Sequence, residues 1–186
     1  MSELTDFQRS LIIGSLLGDG AMRCKKNALL EMNHSYRQRS YVDWKYAMLS
    51  NLVATPPKVR ASGKSGRRAY RFTTLSLPEL VPVYDAFYSD GKKTVPLLQI
   101  TPLALAVWFM DDGARSRTAV YLNTQQFLEE EQLRLIDMLW RQHGLRSTLN
   151  GDKAYFRIRI RTDSIPTLKC VIAHHVLPVM RYKLPE

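Results

Sequence analysis

Two short apolar stretches constrain this chain more than any other feature. Leu11-Ile-Ile-Gly-Ser-Leu-Leu-Gly-Asp19-Gly20 and Leu105-Ala-Val-Trp-Phe-Met-Asp-Asp112-Gly113 each run straight into a carboxylate and a glycine. Both read as helices that end in an acid. The negative end of a helix dipole favours cations, so an Asp there costs stability unless a metal or another cation compensates it. An apolar run followed by Asp-Gly is also how an ordinary core helix meets a turn, and for either stretch alone that is the simpler account. The pair is harder to dismiss. Gly14 and Gly18 lie four apart on one helix face, where glycine costs about 1 kcal/mol against alanine unless a partner backbone needs the room.

The two stretches also belong to a repeat. Asn33 and Asn123, Met48 and Met138, and Lys93 and Lys183 are each separated by 90 residues, Pro78 and Pro166 by 88, and Asp19 and Asp112 by 93. Constant order and spacing imply two copies of one unit of about ninety residues. This places an N-terminal half at 1–95 and a C-terminal half at 96–186, joined near Ser89-Asp-Gly-Lys-Lys-Thr-Val-Pro96. Each unit reads as a helix, two strands, a longer helix, two strands and a closing helix. The strands are expected over 21–25, 28–35, 58–61 and 67–74, then over 114–117, 119–125, 146–149 and 153–161. The longer helices are expected over 36–52 and 128–143, and the closing helices begin near Pro78 and Pro166. Gly63 to Gly66 and Asn150-Gly151 read as the hairpin turns. The fold class is α+β, two pseudo-symmetric αββαββα halves.

Strand alternation gives the charges a direction. Phe156, Ile158 and Ile160 point to one face, and Tyr155, Arg157, Arg159 and Arg161 to the other. In the first half Tyr70 and Phe72 oppose Arg67, Arg71 and Thr73. The chain carries 27 Lys+Arg against 17 Asp+Glu, a net charge of +10. Solvated faces normally mix signs, and these rows are nearly all positive. The excess points to a polyanion, and arginines in strand-like segments favour nucleic acid over a membrane. No apolar run approaches the roughly 18 residues of a transmembrane helix and the N-terminus lacks signal-peptide features, so a soluble intracellular protein is expected. Cys24 and Cys170 show no zinc or CxxC spacing and read as reduced thiols. His34, His143, His174 and His175 likewise match no metal motif and read as structural. The tryptophans sit in apolar helical patterns and read as core.

The segments ending Leu-Leu-Gly-Asp19-Gly20 and Trp-Phe-Met-Asp-Asp112-Gly113 resemble the two signature helices of the LAGLIDADG homing endonucleases, and more narrowly the single-chain branch with a WFMDDG motif. Lys92-Lys93-Thr-Val-Pro96 and Tyr182-Lys183-Leu-Pro185 extend the resemblance over nearly the whole chain. It implies a saddle that straddles double-stranded DNA, with the signature helices packed at its centre. It implies that Asp19 and Asp112 converge over the two scissile phosphates and bind Mg²⁺, with Gly18 and Asp111 contributing backbone carbonyls. Mn²⁺ would substitute, and Ca²⁺ would support binding without cleavage. By the same analogy Lys93 and Lys183 each serve one half-site. Asp111 replaces the small residue expected before the second acid, so either Asp111 or Asp112 could face the metal; Asp112 aligns with Asp19 through the following glycine. The DNA-facing set would be Arg23, Lys25, Asn33, Arg60, Lys64, Arg67 and Arg71 in the first half. In the second it would be Arg115, Arg117, Asn123, Gln125, Lys153, Tyr155, Arg157, Arg159 and Arg161. A monomeric, site-specific, Mg²⁺-dependent DNA endonuclease follows as the expectation; the alternative is an intron maturase that binds its own intron RNA and does not cut.

Overall fold

A computed structural model describes residues 3–62 and 67–185. Lys64 and the turn expected at Gly63 to Gly66 lie outside the described residues. The first helix, α1 (Asp6–Leu17), begins at Thr5, whose side chain accepts from the Gln8 amide while Gln8 Oε1 accepts from the Thr5 amide, both at 3.2 Å. This reciprocal cap satisfies two otherwise orphaned donors. The helix stops at Gly18, so Asp19 sits just beyond it in the turn and not in its last turn. Strands β1 (Ala21–Cys24) and β2 (Ala28–Ser35) follow. The long helix expected over 36–52 is broken into a 3₁₀ turn, α2 (Arg39–Met48) and a second 3₁₀ turn. Strands β3 (Lys58–Ser62) and β4 (Arg67–Thr73), helix α3 (Val81–Phe87) and the two-residue strands β5 (Tyr88–Ser89) and β6 (Lys92–Lys93) complete this half. The small β5–β6 ladder turns through Asp90 and Gly91, both at positive φ. Periodicity gave no sign of it, because strands this short have no period.

The second unit repeats the order with α4 (Pro102–Asp112), β7 (Gly113–Ser116), β8 (Ala119–Leu122), α5 (Glu129–His143), β9 (Ser147–Asp152), β10 (Tyr155–Ile160) and α6 (Ile165–Ile172). Both four-stranded sheets are antiparallel with equivalent strand orders, β1-β2-β4-β3 and β7-β8-β10-β9. The α+β class and the doubled αββαββα order therefore stand. The Asn150-Gly151 turn does not. Asn150 pairs with Arg157 and Gly151 with Phe156 inside the β9–β10 ladder, which closes at Asp152 and Tyr155. The reversal is made by Lys153 and Ala154, with Lys153 at φ 58°. Phe156, expected in the core, lies next to this tip and is 40% exposed, whereas Ile158 and Ile160 are buried.

Helices α1 and α4 lie against each other at the centre. A methyl group on Gly14 would collide with the Ala104 carbonyl and the Val107 side chain, and one on Gly18 would meet Asp111 Cβ at 2.5 Å. The glycine spacing thus exists to let α4 approach. Every residue of α4 from Leu103 to Asp111 is buried, as befits a helix enclosed on all sides. One continuous core runs from Leu11 and Leu16 through Trp108 and Phe109 to Ile158 and Leu168.

Candidate functional site

The ends of α1 and α4 bring four charged groups together: Asp19, Asp112, Lys93 and Lys183. Lys93 Nζ donates to the Gly18 carbonyl at 3.1 Å. Lys183 Nζ donates to the Met110 carbonyl at 2.6 Å and to the Asp111 carbonyl at 2.7 Å. Each lysine therefore caps the carbonyl immediately before one acid. These are the free carbonyls of a helix C-terminus, where a cation is favoured by the local dipole. The lysines arrive from different local structures, Lys93 from β6 and Lys183 from the last 3₁₀ turn.

The two adjacent aspartates of α4 have different surroundings. Asp111 points into the core, where its carboxylate accepts from Lys45 Nζ at 2.8 and 2.9 Å and from the Tyr41 hydroxyl at 2.7 Å. The Lys45 and Asp111 side chains are fully buried. Burial and the neighbouring Asp111 charge hold the Tyr41 hydroxyl well above the usual phenol range, so it remains a donor. Asp112 has a buried Oδ2 with no hydrogen-bond partner. Its pKa is pushed up to about 7, first by burial and then by repulsion from Asp19 and Asp111, against the pull of Lys183 and Lys93. Asp19 is held below the usual carboxylate range: burial raises it, but His34, Lys45 and Lys183 together outweigh burial. Burial lowers Lys93 to about 8 and also lowers Lys183.

A partnerless buried carboxylate oxygen facing a second carboxylate is a strained arrangement for the protein alone and a suitable one for a divalent cation. Asp19 and Asp112 can supply hard oxygen ligands, as can the Asp111 carbonyl, which has a second lone pair beyond its lysine bond, and the Gly18 carbonyl if it exchanges its long 3.4 Å bond from Gln126 for a metal. Among the described residues no group of three His, Cys, Asp or Glu forms a closed metal cage. Mg²⁺-type sites commonly use only one or two carboxylates and complete their shell with water and substrate phosphate. The charge strain has a measurable consequence. The folded pKa of Asp112 lies above its unfolded value, so the folded state binds the extra proton and stability falls as pH rises from about 4 through about 7. In EDTA at pH 8, Asp112→Asn is expected to stabilise the protein by about 2 kcal/mol, roughly 5 °C in Tm. At pH 5 the difference should shrink, which paired thermal melts will show.

The groove beside Asp19 is lined by Asn33, Ser35, Arg37 and Arg67, and continues past Arg23, Glu31 and Arg71. Register puts Asn33 opposite Arg71, and Arg71 opposite Lys58, on the exposed sheet face. Arg60 and Arg67 are exposed on adjacent strands, while Arg23 is exposed and paired with Glu31 at 2.8 Å. Lys25 lies exposed just past β1. In the second half Arg159 pairs in register with Tyr121 and Thr148, and Arg157 stacks over the Tyr121 ring at 4.0 Å. Gln125 donates to Asp152 at 2.7 Å, and Asn123 is half-buried. Arg115, Arg117, Lys153, Tyr155 and Arg161 are exposed. Arg115 also donates to the Leu184 carbonyl, and Arg161 contacts Asp163 at 3.4 Å. Arg23, Arg157 and Arg161 thus have built-in acidic or aromatic supports that hold their orientation.

Sequence reasoning missed four neighbours of the acids. His34, which matches no metal motif, has a buried side chain with Nδ1 3.3 Å from Asp19 Oδ2. Lys45 and Tyr41 were not singled out, although both occupy the apolar stripe of α2 with Val42. A lysine on that stripe was the available signal, since a buried lysine requires a partner. Gln126 donates to the Leu17 and Gly18 carbonyls at 3.2 and 3.4 Å, and nothing in its spacing announces this.

The sequence pattern of the LAGLIDADG DNA endonuclease family matches residues 9–168. Protein RecA of Mycobacterium gastri is 32% identical over 205 residues, covering 97% of this chain and 48% of that protein. Cytochrome b mRNA maturase bI2 of Saccharomyces cerevisiae is 27% identical over 196 residues, covering 94% of this chain and 46% of that protein. The chain thus spans about half the length of these curated relatives. The structure of the homing endonuclease I-WcaI bound to its DNA recognition sequence superposes with a TM-score of 0.91 at 24% identity, covering all of this chain and 88% of the other. I-DmoI in complex with DNA and Mn superposes with a TM-score of 0.58 at 11% identity, covering 92% of this chain. No helix among the described residues is long and apolar enough to cross a membrane. With the family pattern spanning both acid-tipped helices and the whole of both sheets, the chain belongs to the LAGLIDADG DNA endonuclease family.

Proposed function

We propose that this chain is a single-chain, two-motif endonuclease that makes a site-specific double-strand break in a long asymmetric DNA target. The observation that carries the proposal is the doubled set of acid and lysine, with Lys93 on the carbonyl before Asp19 and Lys183 on the carbonyl before Asp112. A binding protein has no need for two half-buried lysines at the ends of two helices that each run up to an acid. The halves 1–95 and 96–186 act as one pseudo-twofold unit, so a monomer reads both half-sites and the target need not be palindromic.

In this reading the exposed sheet faces hold the duplex. Arg23, Lys25, Asn33, Arg60, Lys64, Arg67 and Arg71 serve one half-site, and Arg115, Arg117, Asn123, Gln125, Lys153, Tyr155, Arg157, Arg159 and Arg161 the other. Arginine rows on antiparallel strands can neutralise phosphates and reach base edges in the major groove. Asp19 and Asp112, with the Gly18 and Asp111 carbonyls, hold Mg²⁺. When bound, the metal lowers the pKa of a coordinated water and offsets charge on the phosphate and leaving oxygen. Lys93 and Lys183 keep positive charge beside the scissile phosphates. The depressed pKa of Lys93, about 8, leaves it able to orient water or give up a proton near neutrality.

Structures of I-DmoI with DNA and Mn, Mg or Ca support a divalent cation in general; in this reading Mn²⁺ is a substitute and Ca²⁺ a binding-only ion. The maturase relative favours a second reading, RNA-splicing assistance without cutting. The discriminating experiment incubates the protein with a randomised duplex library and Mg²⁺, then sequences the ends. Cleavage at one long motif is the expected result. Binding of the chain's own intron RNA with no cleaved DNA supports the maturase reading instead.

A further inference from the structure

The two half-sites are not equivalent behind their acids. On the first side, the His34 ring stands between Asp19 and the buried Lys45–Asp111 pair. Its Nδ1 is 3.3 Å from Asp19 Oδ2, and its Nε2 is 3.4 Å from Lys45 Nζ and 3.8 Å from Asp111 Oδ1. The ring packs edge-on against Tyr41 at 5.3 Å. An ammonium has donors and no lone pair, so the nitrogen that faces Lys45 must be the acceptor, and the proton belongs on Nδ1. That proton faces Asp19. No well-aligned hydrogen bond is formed there, and Nδ1 is a buried donor without a satisfied partner.

On the second side, Thr124 follows Asn123 as His34 follows Asn33. Its hydroxyl is engaged by Gln132 Oε1 at 2.8 Å and by the Ile158 amide at 3.2 Å. It gives nothing to Asp112, whose buried Oδ2 stays unpartnered.

We infer that His34 is a positioning residue for Asp19, with its tautomer set by the buried Lys45, and that the half-site containing Asp112 works without a counterpart. The inference rests on the reading of Asp19 and Asp112 as the acids of two strand-cutting sites. An N–H on Nδ1, 3.3 Å from Asp19 Oδ2, biases which carboxylate oxygen is left to face a metal, and outer partners of this kind typically change metal affinity or activity by about 10- to 100-fold when removed. The dependence is confined to one strand. His34 reaches Asp19 directly, and reaches the other half through the fully buried Lys45–Asp111 pair and through Tyr41, both of which lie in the core.

The test uses a duplex recovered from a randomised library by binding in Ca²⁺, labelled on both strands, with single-turnover rates measured for each strand in Mg²⁺. Asp19→Asn identifies the strand that depends on Asp19. In His34→Ala, that strand's cut is expected to slow about 10- to 100-fold while the other changes less than about twofold, so nicked duplex accumulates. His34→Asn, whose amide nitrogen takes the place of Nδ1, should restore part of the loss. Equal slowing of both strands, or no slowing, overturns the proposal, because a merely structural histidine would not discriminate between strands. A Mn²⁺ titration of the same complexes, followed by electron paramagnetic resonance, gives a readout independent of cutting. One of the wild-type affinities should weaken in His34→Ala. If the wild type cuts no DNA, the nuclease reading falls and this titration decides on its own: unchanged affinities overturn the positioning role, and weakening of one site supports it.

Discussion

Asp19→Asn and Asp112→Asn are each expected to abolish the double-strand break, by about 10³-fold or more, while binding of the target duplex in Ca²⁺ stays within a few-fold. The reason lies in how little else surrounds these acids. No third acidic, histidine or cysteine side chain completes a cage among the described residues. Removing one carboxylate therefore removes a large share of the protein's ligands. Asn keeps the shape and one oxygen but loses the charge that balances a divalent cation and the nearby lysines. Binding is expected to survive because the proposed duplex contacts are spread over many exposed residues of both sheets, in a groove that Asp19 only borders. A nicked product from either variant is compatible with this expectation. Full double-strand cutting by both variants, measured on supercoiled plasmid carrying the target, would remove Asp19 and Asp112 from the mechanism.

The second large effect concerns folding. Lys45→Met should destabilise the protein by about 3–5 kcal/mol, since it leaves the Asp111 carboxylate buried without its cation. Asp111 keeps only the Tyr41 hydroxyl as a donor within hydrogen-bond distance. The other half offers a control written into the same sequence. Ninety residues after Lys45 stands Leu135, fully buried, and the residue before the first acid is Gly18. The Lys45–Asp111 pair joins the halves where the equivalent positions, Leu135 and Gly18, supply an apolar residue and a small one. The double variant Lys45→Leu with Asp111→Ala should accordingly recover at least about half of the loss seen in Lys45→Leu alone. Urea unfolding of the set measures the coupling, and strictly additive losses would show that the two side chains do not depend on each other.

Much of the architecture was legible because its signals are local. Gly14 and Gly18 announced close helix packing, and α4 fills that space. Alternation in 155–161 separated Ile158 and Ile160 from Arg157 and Arg159, and β2 came out at its expected ends because its period of two is clean from Ala28 to Ser35. Errors arose where local signals competed. Asn150-Gly151 is a strong turn dipeptide, yet it is paired inside β9, and the reversal is left to Lys153 in a left-handed conformation. The helix expected over 36–52 is broken at both ends into 3₁₀ turns because Ser35 caps the Arg37 amide and the chain must swing toward β3. His34 lacked any motif partner nearby in sequence, so its contact with Asp19 on a neighbouring element had no linear signature.

By itself, the sequence determined two apolar helices that run up to acids, the doubled strand order and a cationic face on each sheet. These follow from periodicity, charge and repetition, which are properties of neighbouring residues. Tertiary structure alone gave Asp111 and Asp112 different surroundings. Consecutive side chains on a helix point roughly 100° apart, so one of two adjacent aspartates faces the core and the other the helix end, and spacing cannot say which. The partner that sets them apart, Lys45, stands 66 residues away on α2. Only the packed chain brings its ammonium to Asp111, taking that carboxylate into the core and leaving Asp112 beside Asp19.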